Sequence, residues 1–159
     1  MPVDLVCDEN LERLAPLDLA DPGRWQNVVA ERTGDERAHW DICVRLCSEA
    51  VSSALNQQYR GKASATNVLS FTAEVSLPDT QVLGDLAVCW PVVLREAEQQ
   101  GKDPLDHFTH LCVHGFLHLL GFDHESAGEA AAMEALEVRI LHDLQIADPY
   151  VPGPDERSR

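Results

Sequence analysis

The segment around residues 104–124 constrains the fold most strongly, because a predicted helix ends there in a histidine-rich turn. Asp103 followed by Pro104 is typical of a helix N-terminus, where aspartate caps the first turn and proline needs no N–H partner. Gly121 is typical of a helix C-terminus. The string from 114 to 124 reads HGFLHLLGFDH, with histidines at relative positions 0, 4 and 10 and the turn glycine at 7. The sequence therefore predicts a helix followed by a tight turn.

These three histidines are predicted to bind one metal ion. His114 and His118 are four residues apart, so they lie on the same face of the helix and can point at one ion. Gly121 permits a left-handed turn, after which His124 can approach from the open side. His110 shares the helix face, but a set of 110, 114 and 118 spans about 12 Å of axis at ~1.5 Å per residue. Zinc–nitrogen bonds of about 2.0–2.1 Å cannot bridge both ends of that row.

Zn²⁺, one per chain, is the expected ion because neutral imidazoles suit it, with nickel or another late divalent ion as the alternative. Three protein ligands leave a coordination position open, as catalytic zinc sites do. The ligand spacing is that of the metzincin proteases. Gly115, however, occupies the position of the glutamate base in H-E-x-x-H, which weakens a protease interpretation. His107 and His110 are expected to hydrogen-bond near the site or to lie at the surface, rather than to bind the ion.

The rest of the chain mixes strands and helices. Strands are predicted at 3–7, 39–47, 67–75 and 81–90, and helices at 22–33, 48–59, 91–100, 104–120 and 126–144. In the second strand, Trp40, Ile42, Val44 and Leu46 alternate and are expected to face one way. The segments 67–75 and 81–90 are predicted to form a hairpin.

We expect an α+β fold, with a small mixed sheet of about four strands packed against about five helices. Neighbouring strands are expected to be antiparallel, and the metal site to lie at the end of a central helix. Residues 1–150 are predicted to form one domain, and the proline-rich, charged tail at 151–159 to fray. We interpret the N-terminus as mature protein rather than a signal peptide.

Composition limits the function classes. The formal net charge is −15, from 27 acidic residues against 12 Lys and Arg, which argues against broad, nonspecific nucleic-acid binding. No apolar run approaches the ~20 residues of a membrane span. The five cysteines show no CxxC pairing, so buried, reduced thiols in a cytosolic protein are expected.

Four segments give the chain a resemblance to a known family. They are LNQQYRGK (55–62), TNVLSF (66–71), LGDLAV (83–88) and HLCVHGFLHLLGFDH (110–124), with MEALE (133–137) and DPY (148–150) in agreement. On these segments the chain resembles the YbeY family of bacterial single-domain, metal-dependent endoribonucleases of ribosomal RNA maturation. The resemblance extends from about residue 38 to the end, and is loose before that.

The resemblance implies His114, His118 and His124 as zinc ligands and a functional role for Arg60, so His114 and Arg60 are the predicted catalytic residues. A guanidinium beside a bound phosphodiester can stabilise charge on its oxygens. At a helix C-terminus an arginine can also be merely structural.

The chain departs from the family pattern after Arg60. Ala63 and Ala65 stand where the family usually has aspartate and proline, and losing the proline is expected to loosen the loop. Asp85 is expected to be a structural strand residue, although it could lie near the cleft. Asp123, beside a predicted ligand, could orient an imidazole.

The leading hypothesis is a zinc-dependent endoribonuclease acting on single-stranded RNA, including the 3′ end of small-subunit rRNA, and in ribosome quality control. The resemblance implies a cytoplasmic location and ribosome-linked partners: the small subunit or its proteins, and a ribosome-associated GTPase. Two alternatives remain: a metallohydrolase of peptide or amide bonds, which needs a carboxylate base near the site, and a non-catalytic ribosome-assembly factor whose zinc has a fourth protein ligand.

Overall fold

The structure is a computed structural model of the chain. It describes residues 3–8, 21–73, 81–122 and 126–150. The predicted tail at 151–159 and the predicted site residues Asp123 and His124 lie outside these ranges, so the predictions for them stay predictions.

The described residues form four strands and five α-helices, close to the predicted pattern. In chain order they are β1 (Val3–Cys7), α1 (Pro22–Thr33), β2 (Asp41–Cys47), α2 (Glu49–Arg60), β3 (Val68–Thr72), β4 (Val82–Cys89), α3 (Trp90–Gln100), α4 (Pro104–Leu119) and α5 (Ala127–Asp143). A short 3₁₀ helix, Glu36–His39, precedes β2, so this strand begins two residues later than predicted.

The four strands form one mixed sheet in the order β1-β2-β4-β3. β3 and β4 are antiparallel from Val68↔Val88 to Thr72↔Gly84, which confirms the predicted pairing. The prediction that neighbouring strands are antiparallel is wrong for the other two pairs, because β1–β2 and β2–β4 are parallel. The connections between these strands contain α1 or α2, and a crossover through a helix returns the chain in the same direction. The α+β class and the mixed sheet are confirmed.

The main core lies between one face of the sheet and the central helix α4, which contacts β3, β4, α1, α3 and α5. The predicted alternation in β2 is confirmed, since Ile42, Val44 and Leu46 are buried in this core and Trp40 packs against it. A smaller cluster on the opposite face joins Ala87 and Cys89 of β4 to α2. The sheet is thus covered on both sides, and α4 is fixed along its buried length.

Side-chain caps explain where the helices begin. Asp103 Oδ1 accepts a hydrogen bond from Leu105 N at 2.8 Å at the start of α4, and Ser126 caps α5. At the other end of α4, Gly121 has φ +100° and Phe122 N donates to Leu117 O. The predicted turn glycine therefore has the positive φ expected of a helix C-terminus, and it follows His118 by three residues.

Three of the five cysteines are buried as predicted, namely Cys47, Cys89 and Cys112, while Cys7 and Cys43 are partly exposed. Burial raises the pKa of the Cys47 thiol to about 12, so it stays protonated at neutral pH. Within the described ranges, no helix combines the length and apolar character of a membrane span.

Candidate active site

An open cleft of about 870 Å³ lies where the end of α2, the edge strand β3 and the exposed side of α4 meet. The side chains that line it include Arg60, Asn67, Ser70, His114, His118 and Tyr150. Three residues predicted from the sequence to be functional, Arg60, His114 and His118, therefore share one cavity.

The two helical histidines converge as the i, i+4 spacing predicts. His114 Nε2 and His118 Nε2 are 3.1 Å apart, and the His114 side chain is 29 % exposed. Two ligands of a tetrahedral zinc ion lie about 3.3 Å apart when each bond is about 2.05 Å. The pair thus fits a shared ion, although no group of three potential ligands occurs within the described residues, which exclude His124.

A buried carboxylate forms a hydrogen bond with the Nδ1 side of the His114 ring. Glu137 on α5 is 0 % exposed, and its Oε1 lies 2.5 Å from His114 Nδ1. This hydrogen bond leaves Nε2 as the nitrogen available to an ion in the cleft, the arrangement that carboxylate–histidine–metal groups use. Burial alone would raise the pKa of Glu137, but the nearby His110 imidazole and the hydrogen bonds from His114 and Tyr150 outweigh it and bring the pKa to about 2.

Tyr150 ties the C-terminal segment to this carboxylate. Its hydroxyl donates to Glu137 Oε2 and lies 3.5 Å from His110 Nε2. Burial, followed by the charge of Glu137, raises the pKa of the Tyr150 hydroxyl, which therefore keeps its proton as a donor. Lys102 Nζ donates to Pro149 O at 3.0 Å and fixes the preceding residue. The wall of the cleft behind His114 thus depends on a segment distant in sequence.

Glu137 and Tyr150 were assigned no role from the sequence, although the segments that contain them match the family. A signal for Glu137 was present: it stands four residues after Met133 and three before Ile140, inside the apolar stripe of α5. A carboxylate on a core-facing helical position rarely stays buried without a partner. That pattern could have predicted a buried acceptor, but not which donor it binds.

Gly115, which replaces the glutamate of the zinc proteases, faces the sheet and not the cleft. A Cβ built there would lie 2.7 Å from Leu86 Cδ2 and 3.3 Å from Ser70 Oγ. Ser70 Oγ also approaches Gly115 O at 3.4 Å. The glycine therefore allows α4 to pack closely on β3 and β4.

Arg60, the last residue of α2, is exposed and lines the cleft. The loop after it is hydrogen-bonded to buried polar side chains of α2. Ser52 Oγ donates to Thr66 O and accepts from Thr66 N, both at 3.0 Å. Asn56 Nδ2 donates to Ser64 O at 2.8 Å. These bonds hold the loop that lacks the proline of the family pattern.

The remaining candidates lie apart from the histidine pair. His107 is 4 % exposed and its Nε2 lies 2.9 Å from Glu96 Oε1, which also accepts from Asn67 Nδ2 at 3.1 Å. Burial lowers the pKa of His107, although the bond to Glu96 opposes this. Asp85 is exposed in the middle of β4 and does not line the cleft.

The fold and the cleft together define a small α+β protein in which two convergent imidazoles are backed by a buried carboxylate. Comparison with known proteins assigns the family. The family model described as endoribonuclease YbeY matches residues 23–145. The chain belongs to the YbeY endoribonuclease family.

Its relatives named endoribonuclease YbeY include proteins of Alkalilimnicola ehrlichii and Halorhodospira halophila. The first is 55 % identical over 133 residues, which cover 80 % of this chain and 78 % of the relative. The second is 54 % identical over 114 residues, covering 69 % and 74 %. The solution structure of TM1509 from Thermotoga maritima has a TM-score of 0.52 at 23 % identity, over 94 % of this chain and 99 % of that one. This similarity supports the fold.

Proposed function

We propose that this chain is a zinc-dependent endoribonuclease that cuts single-stranded RNA during ribosomal RNA maturation. Family membership supports the endoribonuclease activity and its place in rRNA processing. The observation that carries the zinc site is the pair of Nε2 atoms of His114 and His118, 3.1 Å apart beside the cleft that Arg60 also lines.

His114 and His118 would hold the ion together with His124. When bound, zinc would supply Lewis-acid chemistry to a phosphodiester, and nickel or another late divalent ion could occupy the same imidazoles. Glu137 keeps the Nδ1 side of His114 engaged, so that Nε2 faces the cleft. The ring orientation is thereby set before any ligand binds.

Arg60 would bind the substrate phosphate and stabilise its transition state. Its guanidinium is always positively charged and can donate two parallel hydrogen bonds to phosphate oxygens. Among the described residues that line the cleft there is no aspartate or glutamate to repel the phosphate. Peptide or amide hydrolysis would need a carboxylate base beside the site, and the described lining supplies none.

The proposed partners are those that the family resemblance implies. The substrate would be a precursor at the 3′ end of small-subunit rRNA, and ribosomal proteins of that subunit and a ribosome-associated GTPase would bring this RNA to an acidic chain. This role includes ribosome quality control and a cytoplasmic location. Delivery by a partner would offset the weak attraction between RNA and a protein of net charge −15.

The test combines metal analysis with RNA cleavage by the purified chain. His114→Ala should lose bound metal and abolish cleavage of a single-stranded RNA, whereas Arg60→Ala should keep the metal and cut about 10²–10³-fold more slowly, as when one transition-state donor is removed. His142→Ala, an exposed histidine on α5, is the matched control. Undiminished cleavage by His114→Ala would reject the proposed site. Full metal content with no cleavage by the unchanged protein would favour the assembly-factor alternative.

A further inference from the structure

We propose that Tyr59 is a stacking platform for an unpaired base of the RNA, next to the phosphodiester that is cut. The inference rests on the proposed function and deepens it, because it states how the cleft would select single-stranded RNA. The structure offers three observations for it: an exposed aromatic ring, a fixed support under that ring, and positive charge beside it.

Tyr59 is 59 % exposed, an unusual position for a ring of this size, and it lines the same cleft as His114. Its ring meets Phe71 of β3 with centroids 4.9 Å apart and an interplanar angle of 64°. An edge-on contact of this kind covers only part of the ring. The uncovered part is therefore available to a flat partner that enters the cleft.

The support under Tyr59 is rigid. The residue lies in the last turn of α2, and Gly61, at φ +71°, ends the helix with its N–H bonded to Gln57 O at 3.1 Å. Phe71 belongs to a strand paired with β4. A ring held on one side by a helix end and on another by a strand loses little conformational freedom on binding, so stacking is not offset by a large ordering cost.

The charge around Tyr59 suits a nucleotide rather than an apolar ligand. Four arginines of the described part of the chain are paired with carboxylates: Arg32 with Asp143, Arg37 with Asp35, Arg45 with Asp8 and Arg95 with Glu49. Arg60 and Lys62, which flank the helix end, have no such ion pair within the described ranges. In a chain of net charge −15, these two cations are placed where a phosphate backbone would follow a stacked base.

Stacking on Tyr59 would also favour single-stranded over double-stranded RNA. Both faces of a base inside a duplex are covered by its neighbours, whereas an unpaired base can offer one face to an aromatic side chain. The platform gives no sequence readout, because every base has a π-face. The chemical class recognised is thus an unpaired nucleobase attached to a phosphodiester, without preference for one base.

The experiment is a double-mutant cycle on kcat/KM with the metal-loaded full chain. A single-stranded RNA with one cleavage site is synthesised as a series, each member with an abasic ribose at a different position near the cut. At one position the missing base should lower kcat/KM about tenfold for the unchanged protein, and Tyr59→Ala should lower it equally on the complete RNA. The abasic substitution and Tyr59→Ala combined should lower kcat/KM no more than either one alone, because both remove the same contact.

Tyr59→Phe keeps the ring, so the abasic position should still lower its kcat/KM about tenfold. Tyr59→Ala and the unchanged protein should cleave that abasic RNA equally, which a folding defect of Tyr59→Ala would prevent. Leu94→Ala, another exposed apolar residue outside the cleft lining, should change nothing. Additive losses at every abasic position, or normal cleavage by Tyr59→Ala, would overturn the platform while leaving the endoribonuclease assignment intact. If the unchanged protein does not cleave RNA, it is the proposed function that fails.

Discussion

Glu137 occupies a position where helix α5 otherwise presents apolar side chains to the core, and it is completely buried there. A buried charge is tolerated only when hydrogen bonds replace the lost water. Here both carboxylate oxygens have protein donors, His114 Nδ1 and the Tyr150 hydroxyl. At the scale of single residues, a carboxylate that does not line the cleft therefore positions two side chains that do.

Glu137→Gln is expected to weaken zinc binding by about 10–100-fold, the usual effect of removing a hydrogen-bond partner from behind a ligating histidine. The glutamine has one oxygen for two donors, and its amide group would face one of them. Competition with a chromophoric chelator measures the zinc affinity without any reference to activity.

Glu134→Gln, at an exposed position of the same helix, is the control and should bind zinc as the unchanged protein does. Equal zinc affinity in Glu137→Gln and Glu134→Gln would contradict the orienting role of the buried carboxylate.

At the scale of elements, the loop between α2 and β3 shows how buried polar side chains replace a missing backbone constraint. The sequence leads one to expect a loose loop, because Ala65 stands where the family pattern has proline. The structure has Ser52 and Asn56, 2 % and 3 % exposed, bonded to the backbone of that loop. These bonds position the segment between Arg60 and Asn67, both of which line the cleft.

Ser52→Ala is expected to destabilise the fold by about 1 kcal/mol, the typical net contribution of a hydrogen bond, and to speed amide exchange at Thr66. Urea unfolding and hydrogen exchange measure the two effects. Ser53→Ala, one residue further along the helix and partly exposed, is the control. Unchanged exchange at Thr66 in Ser52→Ala would show that the loop is held by other contacts.

Element patterns predicted most of the fold, but not how the elements combine. Alternation in β2, the caps of α4 and α5, and the turn at Gly121 are local signals, and they are confirmed. Strand direction depends on where a connection returns the chain, which periodicity does not encode, so the relative direction was predicted wrongly for two of the three strand pairs.

The same limit applies to the site. The spacing of His114 and His118 predicted their convergence, because both lie on one helix. Glu137 and Tyr150 meet His114 only through packing of distant segments, and no spacing reports that. The convergence of two histidines within one helix followed from their spacing and Arg60 followed from the family resemblance, whereas the contacts of Glu137 and Tyr150 between elements were not predicted.

At the scale of the whole molecule, two cations that have no ion pair within the described ranges, Arg60 and Lys62, lie together at the end of α2. Arg60 lines the cleft and Lys62 follows it two residues later, so we expect two phosphate contacts. The slope of log K against log salt for single-stranded RNA is then about −1.4, at about −0.7 per phosphate contact. Lys62→Ala should reduce it by about 0.7. Fluorescence anisotropy of a labelled RNA across a salt series measures the slope.

Arg139→Ala, an exposed cation on α5 that does not line the cleft, should leave the slope unchanged. A slope several times steeper would show that RNA contacts a wider basic surface than the cleft provides.

The close packing of α4 on the sheet at Gly115 bears on how this chain differs from the zinc proteases. A side chain at that position would meet Leu86 Cδ2 at 2.7 Å and Ser70 Oγ at 3.3 Å. A glutamate introduced there would therefore require both neighbouring side chains to shift, and Leu86 is buried in the main core. Exchanging one chemistry for the other at this position would involve residues of α4, β3 and β4 together.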